Sequence, residues 1–189
     1  MENKNFEKAV RRGLLHIFLS FIITLITVLT GRTFSLIFYS AITVGGFGCT
    51  IISRKRKIPG ISWALDKFDY DWFLPGKGAL MYMIGVVLTL ALFPRDIALA
   101  SILFLGVADG VAKIVGMKGK IKYPYSSKTF EGSFVGGVLG ILSASIFVPI
   151  FPSFIAGVLT MIAESFKFPY WLDDNLILPL LFGLILYLV

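Results

Sequence analysis

Seven apolar stretches partition this chain, at residues 13–29, 34–52, 78–93, 97–117, 133–151, 153–166 and 176–189. A bilayer core of about 30 Å takes roughly 20 apolar helical residues to cross, and helix is the conformation that lets a single segment satisfy its own backbone there. The pattern predicts an all-α, polytopic transmembrane bundle of about seven helices, forming a single membrane-embedded domain over residues 1–189. The last two stretches are short for a full crossing, which leaves open small tilt, extension into the flanks, or a re-entrant segment. Composition agrees: 57% of residues are hydrophobic and 15% are charged, against about 25% charged in an average soluble domain. A mean hydropathy of +0.85 excludes a soluble globular chain.

The 18 Lys+Arg against 11 Asp+Glu give a net charge of +7, a balance open to nucleic acid, anionic lipid or a phosphorylated ligand. Position decides between them. An N-terminus on the cytoplasmic side leaves only Arg32 and Arg95 of the 18 basic residues outside, the asymmetry of a multi-pass membrane protein, so no nucleic acid polymer is needed to account for the charge. This orientation is N-in, C-out. The acids Asp66, Asp69, Asp71, Asp109, Glu131, Glu164, Asp173 and Asp174 then share the cytoplasmic side, with Asp96 outside, and any chemistry faces the cytoplasm. The first stretch is longer than a signal-peptide core and ends in Thr30-Gly31-Arg32 without a small-x-small cleavage site, so it is expected to be retained. Cys49 is the one cysteine and His16 the one histidine, which excludes a disulfide framework and a Cys/His zinc site. Arg54-Lys55-Arg56-Lys57 is a topology signal, and residues 63–73 form an aromatic interfacial helix or belt.

The window Leu105-Gly106-Val107-Ala108-Asp109-Gly110-Val111-Ala112-Lys113-Ile114-Val115-Gly116 puts an acid near the end of an apolar helix. An unpaired carboxylate there is costly, which makes Asp109 a functional candidate, the alternative being a simple pair with Lys113 one turn on. Helical spacing sets Asp109, Lys113 and Gly116 on one face. Lys118, Lys120, Lys122 and Lys128 follow, with Ser126, Ser127 and Thr129 leading into the next helix. Ammonium groups, hydroxyls and free helix N–H groups suit a polyphosphate; a lipid-headgroup loop is the plainer reading, and Glu131 argues against it. Gly132, Gly136 and Gly140, with Gly106 and Gly110, form small-residue stripes that predict close packing of the fourth and fifth helices. Glu164 and Asp173-Asp174-Asn175 offer magnesium ligands or helix caps. Arg12 and His16 share a helix face.

The order of these motifs resembles the CTP-dependent polyprenol kinase family, which includes dolichol, phytol and diacylglycerol kinases, in a superfamily shared with phosphatidate cytidylyltransferases. The resemblance rests on Arg11-Arg12-x-x-x-His16, Pro75-Gly76-Lys77-Gly78-Ala79, Ala108-Asp109-Gly110-x-Ala112-x-x-x-Gly116, Lys128-Thr129-Phe130-Glu131-Gly132-Ser133 and Asp173-Asp174-Asn175-x-x-x-Pro179. Ala108 stands where the family usually has Gly, and Arg12 where Lys is common. The resemblance implies a membrane enzyme that uses CTP and Mg2+ or another divalent cation to phosphorylate a lipid alcohol in the bilayer, on the cytoplasmic face of the cell membrane or an internal membrane. Asp109, Lys128 and Glu131 are then the catalytic candidates, and Asp109, Asp173 and Asp174 the metal ligands. Arg11, Arg12, Lys113, Gly116, Lys118, Lys120, Lys122, Thr129 and Gly132 fall to the nucleotide, and His16, Lys77 and Asn175 to the substrate. Two alternatives stand beside this: a phosphatidate cytidylyltransferase-like CDP-lipid synthase, and a membrane transporter or lipid-binding protein.

Orientation is testable by cysteine labelling in a Cys49-free background. A membrane-impermeant probe is expected to reach a cysteine at Ser126 only from the cytoplasmic side and one at Arg95 only from outside; the reverse pattern would overturn the orientation.

Overall fold

In a computed structural model of the chain, the described residues are 2–53, 76–124, 126, 128–166 and 173–189. The basic run 54–57, the aromatic stretch 63–73, Lys67, Pro75, Ser127 and Lys167 lie outside them. The described residues form seven α-helices: α1 (Glu2–Thr30), α2 (Arg32–Ser53), α3 (Lys77–Leu92), α4 (Arg95–Gly116), α5 (Phe130–Ala144), α6 (Ile150–Ser165) and α7 (Asp174–Leu188). No strand occurs among them, only an isolated antiparallel bridge between Lys122 and Thr129. Three segments, Ala9–Thr30, Arg32–Ser53 and Arg95–Gly116, are long and apolar enough to cross a membrane. The other four helices have 15 or 16 residues, about 22–24 Å at 1.5 Å per residue.

The fifth apolar stretch, expected to be helical to residue 151, stops at Ala144. Its last carbonyls are taken by a tight turn, with Ser145 N–H donating to Ile141 O and Phe147 N–H to Ala144 O. Pro149 then caps α6 and Pro152 falls in its first turn, where a missing N–H costs nothing.

The α4 helix is the axis of the bundle. Every residue from Ala98 to Gly110 is buried, because α1, α3, α5 and α7 all pack against it. Small residues permit this. A Cβ on Gly136 of α5 would sit 2.5 Å from Ala108 O, and one on Gly132 2.7 Å from Ala112 O, so the α5 stripe does face α4. The close α4–α5 packing expected from the glycines is present, and Gly116 of α4 shares in it, its Cα 3.0 Å from a Cβ on Gly132, but Gly106 and Gly110 face another helix. Gly110 instead meets Gly13 of α1, where a Cβ on either residue would lie 2.5–2.6 Å from the other's carbonyl oxygen, and Gly106 abuts Ser20. Ala108 and Ala112, with Gly116, are what α4 offers α5. The α7 contact is aromatic, with Phe104 stacked on Phe182 at 4.1 Å.

Several buried hydroxyls are satisfied along their own helices: Thr27 donates to Ile23 O, Thr89 to Gly85 O and Ser101 to Ile97 O, as suits polar groups inside an apolar bundle, whereas those of Thr24, Tyr82 and Thr160 have no partner among the described residues. The outside carries exposed Phe, Leu and Ile, the arrangement a lipid environment favours. Arg32 and Arg95 sit together at one end. Arg32 donates to Leu90 O and Ala91 O at the end of α3, and Arg95 to Val28 O near the end of α1, supplying donors that helix C-termini lack.

Gly136→Leu is expected to lower the thermal midpoint in detergent, overpacking of this kind costing about 1–3 kcal/mol. Gly45→Leu, on an α2 face with no atom within 4 Å of a new Cβ, is the control. Equal midpoints would show that the α4–α5 approach is not what Gly136 protects.

Candidate functional site

At the end of the bundle opposite Arg32 and Arg95, the C-terminal half of α4, the start of α5, the end of α6 and the start of α7 surround a cavity of about 210 Å³. Asp109 and Lys113 project into it from α4, Lys128 from the residues before α5, Ser133 from α5, Glu164 from α6 and Asp174 from α7. Asp109 is buried and ion-paired with Lys113; His16 Nδ1 of α1 lies 3.1 Å from the same oxygen. The pair with Lys113 is thus present, but within a larger set of charges that face the cavity.

The segment from Lys128 to Ser133 assigns each side chain a separate task. Lys128 Nζ lies 2.6 Å from Asp174 Oδ2 and 3.3 Å from Glu164 Oε1, and donates to Glu164 O at 2.9 Å. Burial pulls its pKa down, but the Glu164 and Asp174 carboxylates outweigh burial and hold it above the ordinary 10.5. Lys128 is therefore charged at neutral pH and loses its stabilising role only when pH rises beyond that value. Thr129 caps α5, its hydroxyl accepting from Gly132 N–H. Glu131 reaches back to accept from Lys120 N–H at 2.8 Å and Ile121 N–H at 3.1 Å. Gly132 admits α4, and Ser133 lines the cavity.

The structure thus brings together Asp109, Lys113, Gly116, Lys128, Thr129 and Asp174 from the residues predicted for the site. It places others elsewhere. Glu131, expected to be catalytic, is not among the cavity-lining residues; its carboxylate is engaged by the loop that it pins. Asp173, expected to be a metal ligand, caps α7 by accepting from Asn175 N–H. Arg11 pairs with Glu7, Lys118 lies over the Phe6 ring at 5.3 Å, and Lys120 and Lys122 are exposed outside the cavity. Arg12 abuts Gly78, while Asn175 donates to Gly78 O at 3.4 Å and so joins α7 to α3 near the buried Lys77. His16 reaches the site only through Asp109.

The sequence offers Glu164 as one of the rim acids able to hold magnesium or cap a helix, without assigning it a role in the site. Glu164 is 2% exposed, lines the cavity, and has Oε2 buried without a hydrogen-bond partner. An acid in the last turn of an apolar helix was the available signal. Its pairing with Lys128, 36 residues away, had none.

Among the described residues no three His, Cys, Asp or Glu converge on one point. Asp109, Glu164 and Asp174 nevertheless face one small cavity. Such a donor set fits Mg2+, which takes one or two protein carboxylates and completes its shell with water and phosphate oxygens.

Over 132 residues the chain is 30% identical to CTP-dependent diacylglycerol kinase 1 of Schizosaccharomyces pombe, a match covering 60% of each protein. It is 32% identical over 119 residues to an uncharacterised protein of Methanocaldococcus jannaschii, covering 59% of this chain and 58% of that one. The chain therefore spans about three fifths of the length of these curated relatives. No family model matches it. No solved structure matches it either.

Lys128→Met removes the cation between two carboxylates, and breaking such a pair is more harmful than never having made it. The thermal midpoint at neutral pH is expected to fall well below that of Lys122→Met, which alters an exposed side chain. A Lys128→Met protein as stable as Lys122→Met would remove Lys128 from this structural role.

Proposed function

We propose that this protein is a multi-pass membrane enzyme that transfers the γ-phosphoryl group of CTP to the hydroxyl of a lipid alcohol, of polyprenol, dolichol or diacylglycerol type. The observation that carries the reading is the cavity itself, where three carboxylates and two lysines from three helices and the segment before α5 meet at one end of an apolar bundle. The similarity to a CTP-dependent diacylglycerol kinase supports the choice of donor and the class of acceptor. The one-ended placement also favours an enzyme over a transporter, whose coupling site usually lies near the midplane. With the N-terminus inside, this end faces the cytoplasm, where CTP is found.

Phosphoryl transfer needs positioning and charge neutralisation more than covalent help from the protein. Asp109 and Asp174 would hold Mg2+, which when bound neutralises phosphate oxygens and draws charge from the reacting phosphorus. Lys113 and Lys128 lie beside these carboxylates and supply positive charge to the γ-phosphate and the departing CDP. The lipid oxygen bonds to the γ-phosphorus, the bond from that phosphorus to the β–γ bridging oxygen breaks, and CDP leaves with the electron pair. Glu164 is the cavity carboxylate placed to take the hydroxyl proton, since it has an oxygen without a partner and no metal role in this scheme.

Purified protein with α- or γ-labelled CTP, Mg2+ and a panel of polyprenol, diacylglycerol and phosphatidate tests this directly. Label is expected to enter lipid from the γ position only, and Asp109→Asn is expected to lower the rate by orders of magnitude while the protein still folds. Lipid label from the α position with pyrophosphate released would instead show a CDP-lipid synthase. No nucleotide-dependent labelling at all would overturn both.

A further inference from the structure

A second cavity, about 440 Å³ in volume, runs between α5 and α6. Its walls are apolar, formed by Phe134, Val138 and Ile141 of α5 and Phe154, Val158 and Ile162 of α6. Several of these are exposed on the outer face of the bundle, including Phe134, Val138, Val158 and Ile162, so the groove opens sideways where lipid would lie. Glycine makes the space: Gly137 and Gly157 line it, and larger residues there would close the gap. From Ser133 to Ile141 it follows α5 for about 12 Å at 1.5 Å per residue.

Where the groove ends decides what it is for. Ser133 lines both the groove and the charged cavity. On the facing helix, Glu164 lines the cavity and the next residue, Ser165, lines the groove. The two spaces therefore meet at Ser133, with hydrocarbon walls on one side and the Lys128, Glu164 and Asp174 charges on the other. Another apolar groove, between α2 and α3 around Gly46, Cys49 and Met83, shares no residue with the charged cavity.

We infer that the α5–α6 groove seats the hydrocarbon chain of the acceptor alcohol, which enters from the bilayer and brings its hydroxyl to Ser133 at the mouth of the charged cavity. This rests on the proposed kinase reading for its occupant. A molecule with a long apolar tail and a neutral polar head fits the two adjoining spaces: the tail exchanges lipid hydrocarbon for the equally apolar walls of Phe134, Val158 and Ile162, and only the head reaches charged groups.

The test uses the full chain in phosphatidylcholine nanodiscs with a diazirine-bearing long-chain alcohol and no nucleotide, so that labelling does not depend on turnover. Cross-links are expected on 133–141 and 154–165, displaced by unlabelled long-chain alcohol but not by added phosphatidylcholine. Val158→Trp and, independently, Ile162→Trp fill the groove from positions 38% and 53% exposed; each should cut labelling several-fold, and in turnover assays raise KM for the lipid while leaving KM for CTP unchanged. Gly46→Trp, in the other groove, should leave labelling intact. Labelling on α2 and α3, equal displacement by phosphatidylcholine, or insensitivity to both tryptophans would overturn the inference. A protein that labels as expected yet transfers no phosphate would leave the groove standing and remove the kinase, whereas active enzyme without groove labelling would do the reverse.

Discussion

The ammonium of Lys128 touches the end of α6 and the start of α7 at once, through Glu164 and Asp174. The site depends on it. Lys128 itself is held by the residues on either side: Thr129 caps α5, and Tyr123 N–H donates to Lys128 O while Phe130 N–H donates to Ile121 O. Glu131 fixes the same loop from the far side by accepting from Lys120 and Ile121. One short segment thus sets the start of a helix, the path of the loop before it and the charge between two other helices. The Glu131 carboxylate, a catalytic candidate in the sequence, lies at one remove from the cavity, on the loop that leads to Lys128.

The seven helices were legible because long apolar runs admit no other backbone arrangement in lipid. Their ends were legible less well. The α5 stretch reads as apolar through residue 151, yet Pro149 and Pro152 allow α6 to begin only after a turn. The Asp109, Lys113, Gly116 and Lys128 positions followed from local spacing and the cost of a carboxylate among apolar neighbours. The α4–α5 packing followed from the glycines as well, but the partner of Gly106 and Gly110 did not. Both glycine stripes pointed to close helix approach, but nothing in Gly106 or Gly110 says that the approaching backbone is α1 and not α5, since a missing side chain names no partner. Contacts made across 36 or 46 residues, such as those of Lys128, are set by the tertiary fold alone.

Pro179 shows how a motif can carry structure and site together. It lies inside α7 and has no N–H for the carbonyl of Asn175 four residues earlier. That carbonyl faces α3, where a Cβ on Gly85 would come within 2.6 Å of it, while the Asn175 side chain donates to Gly78 on the same helix. The proline and the asparagine thus act on one contact, the seating of α7 against α3. Asp173 caps the helix they seat, and Asp174, one residue on, is left to face Lys128 and the cavity. Three of the four motif positions in this stretch, Asp173, Asn175 and Pro179, are thus engaged in placing the fourth, Asp174.

Charge decides what that cavity can accept. Its walls carry three carboxylates and two ammonium groups, and both ammonium groups are already paired with carboxylates. A bare polyphosphate would meet net negative walls with no cation to spare, and desolvating it there would be unfavourable. Under the proposed function, Asp109 and Asp174 would hold a divalent cation that offsets this charge, and Lys113 and Lys128 would then be free to turn to phosphate oxygens. On this account the ion pairs between Lys113 and Asp109 and between Lys128 and Asp174 are the resting arrangement of groups that separate when a metal-bound nucleotide arrives. The same pairs keep each buried charge compensated until then, which is what allows so many ionisable groups to sit together at the end of an apolar bundle.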